Sequence, residues 1–200
     1  WLRLERGGPL PAMEVPAPGG ANTAPRHDDA VHYDFEGSTL PADFQWLRTP
    51  YPDRIFSLAE KRGSLRLFGR ESIGSFFEQA LVARRQEHFS FRAETEVRFD
   101  PETFQQVAGL VHYYNRHKFH FLAVTHDAAR GRVLTILSCP GDWPDGRLTF
   151  PLGDPIPLPG SEPVRLAAEV RGPALRFSVF RDGTWNLVGP VLDASVISDE

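Results

Sequence analysis

Cysteine is almost absent: Cys139 stands alone among 200 residues. No intrachain disulfide and no cysteine-cluster metal site can be built, a composition that fits a reducing, cytoplasmic setting. No run approaches the ~18–20 consecutive apolar residues of a membrane-spanning helix. Neither sign of charge dominates, since 22 basic and 26 acidic residues leave a formal charge of -4. That balance gives no electrostatic basis for gripping a nucleic-acid backbone or an anionic membrane, so neither is an expected partner. Helical periodicity is scarce too, with Glu78–Glu87 and Leu192–Ser198 offering a single turn each at most. What remains is 41% hydrophobic and 12% aromatic, with 17 glycines and 18 prolines. One domain with a real core, made of short strands and many turns, is the expectation.

Residues 8–27 contain five prolines and no apolar periodicity, which reads as an extended linker. Before it, Trp1-Leu2-Arg3-Leu4 alternates like a strand too short to fold alone, and residues 1–7 read as the end of a preceding domain. From Val31 onward, strand-like runs alternate with turn signals. The clearest is Phe89–Phe99, FSFRAETEVRF. Phe89, Phe91, Ala93, Val97 and Phe99 fall on one face with Thr95, and Ser90, Arg92, Glu94, Glu96 and Arg98 on the other. Further strands are expected at 64–68, 79–84, 106–113, 118–125, 132–137, 164–171 and 175–180. Tyr114-Asn115-Arg116-His117, Ala129-Arg130-Gly131 and Asp182-Gly183 between them are hairpin signals, so consecutive strands should pair antiparallel. The fold class is all-β, a two-sheet antiparallel sandwich.

The run from Gly69 through Ser75-Phe76-Phe77 to Leu81-Val82-Ala83-Arg84-Arg85-Gln86 carries a resemblance, as do Gly63 to Leu67 before it and Gly109-Leu110-Val111-His112-Tyr113-Tyr114-Asn115 after it. Gly141-Asp142-Trp143-Pro144-Asp145-Gly146 follows in the same order. Together they resemble the C-terminal concanavalin A-like sandwich, a jelly roll, of glycoside hydrolase family 43 β-xylosidases, over roughly residues 34–193. The resemblance implies a sandwich over 28–200, truncated at both ends and lacking its last strands. Residues 1–7 would then close a catalytic β-propeller lying outside this chain. It implies inverting hydrolysis of xylosyl or arabinofuranosyl ends by two carboxyl groups of that propeller, with no catalytic residue here. It further implies a homo-oligomer when full length, xylo-oligosaccharide as substrate, and a sandwich loop that closes the propeller's pocket with an aromatic side chain. The matching positions are Ser75, Phe76 and Phe77. Adjacent aromatics cannot both face one side of a strand, so one should point away from the core, and the motif favours Phe77. A dry, apolar wall suits a sugar pocket.

Other residues invite sharper readings. Glu94 and Glu96 share a strand face at a spacing a retaining glycosidase pair could use, but Arg92 and Arg98 beside them make a charge-compensated, solvated strip the expected outcome. His112, His117 and His120 gather around one hairpin and could ligate zinc or copper, against which surface or interface positions are expected and no metal site is assigned. Asp28, Asp29, Asp34 and Glu36 could hold a structural calcium, although a solvated acidic turn accounts for them and no cofactor is required. Trp143, between Asp142 and Asp145, could contact sugar. With Trp185 it could make the chain a carbohydrate-binding module for xylan-type glycans, the alternative function. Cys139 reads as an inert small residue near a strand end.

Overall fold

A computed structural model describes residues 30–141 and 147–198. Twelve strands lie among them: β1 (Phe44–Trp46), β2 (Phe56–Ser57), β3 (Arg66–Leu67), β4 (Val82–Arg84), β5 (Ser90–Val97), β6 (Ala108–Asn115), β7 (Lys118–Asp127), β8 (Gly131–Pro140), β9 (Ile156–Pro157), β10 (Val164–Arg171), β11 (Ala174–Arg181) and β12 (Thr184–Asp193). A single 3-10 turn, Pro52–Arg54, is the helical element of the described residues. The unit spanning 34–200 carries two four-stranded antiparallel sheets, ordered β12-β11-β10-β5 and β6-β7-β8-β9. Two short ladders, β1-β4 and β2-β3, accompany them. The β-sandwich expected from the sequence is the fold.

The facing sides of the sheets supply the core. Leu122, Val124, Leu134 and Ile136 of the second sheet meet Leu166, Val170, Leu175, Phe177 and Val179 of the first. Each such side chain contributes about 1.5–3 kcal/mol on burial. In β5 exposed and half-buried residues alternate throughout, with Phe91 and Val97 turned to the core and Arg92, Glu94 and Glu96 outward. The predicted register is therefore correct, with one correction: Phe89 is 86% exposed. The β5–β10 ladder ends at the Ser90–Arg171 pair, and Phe89 only accepts a bond from Gly172 N at the turn beyond. It has the parity of a core residue but no opposing sheet above it. Neither 78–87 nor 192–198 is a helix: the first carries β4, and the second the end of β12 followed by one turn in which Ile197 N donates to Ala194 O at 3.2 Å.

The second sheet differs because both its faces are covered. Phe119, Ala123, Thr135 and Cys139 are buried although they alternate with the core-facing residues of β7 and β8. Leu47, Arg48 and Phe76, from chain preceding β5, stand with Tyr113 on that outer face and form part of its cover. Strands buried twice read as nearly continuous apolar runs rather than alternation, as FHFLAV and VLTILSC do. At Gly109 in β6, paired with Ala123, the sheet leaves no room for a side chain: an added methyl would overlap the Leu122 carbonyl oxygen. The first sheet ends in edge strand β12, where Leu187 and Val191 are exposed.

Candidate functional site

Between β3 and β4 the chain makes a long excursion with no strand of its own, residues 68–81. Several contacts hold it. Arg70 Nε donates to Arg54 O at 3.0 Å, and Arg54 forms a 2.7 Å ion pair with Glu78. Glu78 adopts a left-handed backbone (φ 55), unusual for a residue with a Cβ, and this reversal sets neighbours on opposite sides. Gln79 is turned inward and buried, its Nε2 donating to Ile73 O at 3.3 Å and also to Ser75 O. Phe77, before the reversal, is turned out. The Ser75 hydroxyl lies 3.4 Å from the Phe77 backbone nitrogen, which donates to it.

The two phenylalanines are not equivalent. Phe76 is 48% exposed and carries the Arg116 guanidinium 3.5 Å above its ring, a cation–π stack. Phe77 is 67% exposed and meets Phe76 only obliquely, with ring centroids 6.3 Å apart at 45°. Among the exposed large apolar residues Phe77 follows Phe89, Phe104 and Leu187, and it stands on an anchored loop. Beside Phe76 lies a cavity of about 210 Å³, walled by Ser75, Phe76 and Gln79 of the loop, Leu47 and Arg48 after β1, and Tyr113, Asn115, Arg116 and His117 of the β6–β7 hairpin. Burial raises the Tyr113 phenol above its usual range, and the charges of Arg48 and Arg116 pull against that rise. The sequence pointed to Ser75, Phe76 and Phe77 here, but not to Arg48, Gln79, Tyr113 or Arg116. These come from three distant segments, and no spacing rule links them.

Residues 32–200 match the model of a family described as the β-xylosidase C-terminal concanavalin A-like domain. The chain belongs to this family. Among its relatives, xylosidase/arabinosidase 43B of Humicola insolens is 47% identical over all of the chain and 37% of that protein. A β-xylosidase of Bacillus subtilis (strain 168) is 37% identical over 97% of the chain and 36% of its own length. The crystal structure of xylan β-1,4-xylosidase from Bacillus halodurans C-125 superposes with a TM-score of 0.82 at 36% identity, over 100% of this chain and 38% of that one. This β-xylosidase C-terminal domain thus spans a little over a third of the length of these relatives. In them it accompanies a catalytic domain.

Elsewhere on the domain the sharper readings give way to structural ones. Glu94 and Glu96 do share the outer face of β5, yet Glu94 is bound by Arg92 at 2.8 Å and Arg165 at 3.5 Å. Arg92 also reaches Glu169 at 3.7 Å. The strip is charge-compensated as expected, by Arg165 of β10 rather than Arg98. Trp185 belongs to the same network, with the guanidinium of Arg92 4.7 Å and that of Arg165 5.4 Å from its ring centroid, and Phe180 edge-on. Cations already occupy the ring, so it is a poor open platform for sugar. Trp143, Asp142 and Asp145 lie outside the described residues, as do Asp28 and Asp29. Asp34 accepts a bond from Glu36 N at 3.0 Å and Glu36 pairs with Arg62, so this acidic turn is held by local partners.

The histidines require one correction, because His120 is interior while His112 is half-buried. His112 and His120 are directly opposite in the β6–β7 ladder. His120 is 3% exposed; its Nδ1 lies 2.8 Å from Ser138 Oγ and its Nε2 3.0 Å from Asp193 O of the facing sheet. His112 Nε2 lies 3.0 Å from Gln86 Oε1. His120 ties β7 to the end of β12, and among the described residues no cluster of metal-ligating side chains forms. Burial, and then the His120 charge, lowers the His112 pKa from 6.5 to about 4, and burial lowers that of His120 as well. The folded state therefore binds these protons less readily than the unfolded chain. Stability is fully present above about pH 6.5 and falls as pH drops toward 4. Urea unfolding should show a loss of ~2 kcal/mol from His112 between pH 7 and 4.5. His112→Gln should flatten that part of the slope, and an unchanged slope in the variant would contradict this origin.

Proposed function

We propose that this chain is the accessory C-terminal domain of a β-xylosidase-type glycoside hydrolase. Its 75–77 loop closes the active site of a catalytic β-propeller in the same polypeptide. The substrate class is xylo-oligosaccharide, with xylosyl or arabinofuranosyl ends. The propeller supplies the acid and base carboxyls of an inverting hydrolysis, and the sandwich supplies no reacting group. The exposure of Phe77 on an anchored loop is the observation that carries this reading. Phe76 is committed to Arg116, which leaves Phe77 as the ring available to a neighbouring pocket. An apolar ring at the mouth of such a pocket excludes water and strengthens the charged interactions inside it. A homo-oligomeric, cytoplasmic enzyme is part of the same proposal, supported by the family resemblance and the single cysteine.

The alternative, a xylan-binding module acting alone, is disfavoured by the cation-covered Trp185. The test is a hydrolysis assay on p-nitrophenyl xyloside with this chain alone and with the full-length polypeptide. The 200-residue chain should give no turnover, and the complete polypeptide should be active. Turnover by the chain alone would overturn the accessory role, and tight titration of xylohexaose into it would favour the binding module.

A further inference from the structure

We propose that the cavity beside Phe76 is a binding site for a sugar acid, a monosaccharide unit bearing a carboxylate, such as a hexuronate. The charge of the cavity is the first reason. Arg48 and Arg116 both line it, and no carboxylate does. Among the described residues neither guanidinium takes part in an ion pair. On a chain of net charge -4 this is a local positive spot without a counter-charge. Geometry adds to it. The Arg116 guanidinium carbon lies 3.5 Å from the Phe76 ring centroid, and a guanidinium held in place on a ring can take a carboxylate through two parallel N–H bonds.

Size and the remaining lining point to a sugar rather than a bare anion. The partly open depression measures about 210 Å³. That is more than a lone carboxylate fills, less than the ~300 Å³ at which drug-sized pockets begin, and suited to one monosaccharide. Tyr113 lines it with an aromatic ring that could meet C–H faces, and Ser75 and Asn115 are polar. Arg48 also holds a left-handed backbone at φ 50, as Glu78 does at φ 55, and strain of this kind is retained where a side chain must be aimed.

The site rests on the glycan-handling role proposed for the same loop but fails independently of it, because it is read by binding at Arg116 and not by turnover at Phe77. The experiment is a ¹⁵N-resolved NMR titration of the 200-residue chain with D-glucuronate, with D-glucose and acetate as parallel probes. Glucuronate should shift the amides of residues 75–79 and 115–117 saturably, with a Kd of about 1–10 mM. Glucose and acetate should bind at least about tenfold more weakly, since each satisfies half of the site. Arg116→Ala should lose about tenfold, Arg116→Lys less, and Arg165→Ala on the opposite sheet nothing. A dispersed spectrum for each variant shows that it is folded. Absence of saturable shifts, acetate binding as tightly as glucuronate, or indifference to Arg116→Ala would each overturn the proposal.

Discussion

Phe77→Ala in the full-length enzyme is expected to lower kcat/KM for a xyloside by about 10- to 100-fold while leaving thermal stability nearly unchanged. Stability is spared because the ring is 67% exposed and buries little within the domain, and exposed substitutions stay within about ±0.5 kcal/mol. Catalysis suffers because removing an apolar cover admits water to the site and loosens the substrate, and small losses of positioning alone cost up to about 10²-fold. Phe76→Ala should behave differently. It frees Arg116 from its stack at 3.5 Å, so its effect should be smaller on turnover and larger on binding at the cavity. Steady-state kinetics of both variants, with melting curves beside them, separate the roles. Kinetics of Phe77→Ala within twofold of wild type would remove Phe77 from the active site.

The second large effect is structural and lies in the Gly-Leu-Val-His-Tyr-Tyr-Asn run. Gly109→Ala should destabilise the domain by ~3 kcal/mol or more, the upper end for overpacking, or prevent folding. The new methyl would overlap the Leu122 carbonyl oxygen and come within 3.0 Å of Ala123 Cα, both backbone atoms of the paired strand. Neither can move without breaking the β6–β7 ladder, and Ala123 is itself fully buried. Gly69→Ala is the matched comparison, since a methyl there meets nothing within 4 Å and should be neutral within about 0.5 kcal/mol. Urea melts of the two variants should differ by several-fold in stability loss. Equal losses would show that the ladder at Gly109 can relax.

What the sequence made readable follows from where burial is one-sided. β5 could be registered from its residues because one face meets the core and the other carries Arg92, Glu94 and Glu96. The turns were readable for a different reason. Gly131, Asp182 and Gly183 adopt positive φ at the hairpin tips, the conformation those residue types tolerate. β7 and β8 were found as apolar runs, but their second covered face was hidden, since nothing in VLTILSC tells which layer lies above it. Phe89 failed because alternation predicts a face and not whether the opposite sheet extends that far. His112 and His120 were correctly set on one face, yet His120 was expected at a surface or interface, because the hydrogen bonds that hold it inside come from Ser138 and Asp193, distant in the chain. The cavity beside Phe76 was invisible for the same reason: it assembles Arg48, Gln79 and Arg116 across three separate loops and turns.

The order β12-β11-β10-β5 has a consequence for how the chain comes into being. Every neighbour in the β6-β7-β8-β9 sheet is supplied by nearby sequence, whereas β5 must wait for β10, with Val97 paired to Val164, 67 positions later. At ~5–20 residues per second of synthesis, a nascent β5 remains unpaired for about 3–13 s after it is made. During that interval Phe91, Val97 and Phe99, later packed on the core, have no completed sheet to cover them. The second sheet can form first and offer its inner face as a temporary seat. The charged residues Arg92, Glu94 and Glu96 on the other side of β5 then act as gatekeepers against pairing with neighbouring chains, long before they become part of the finished surface.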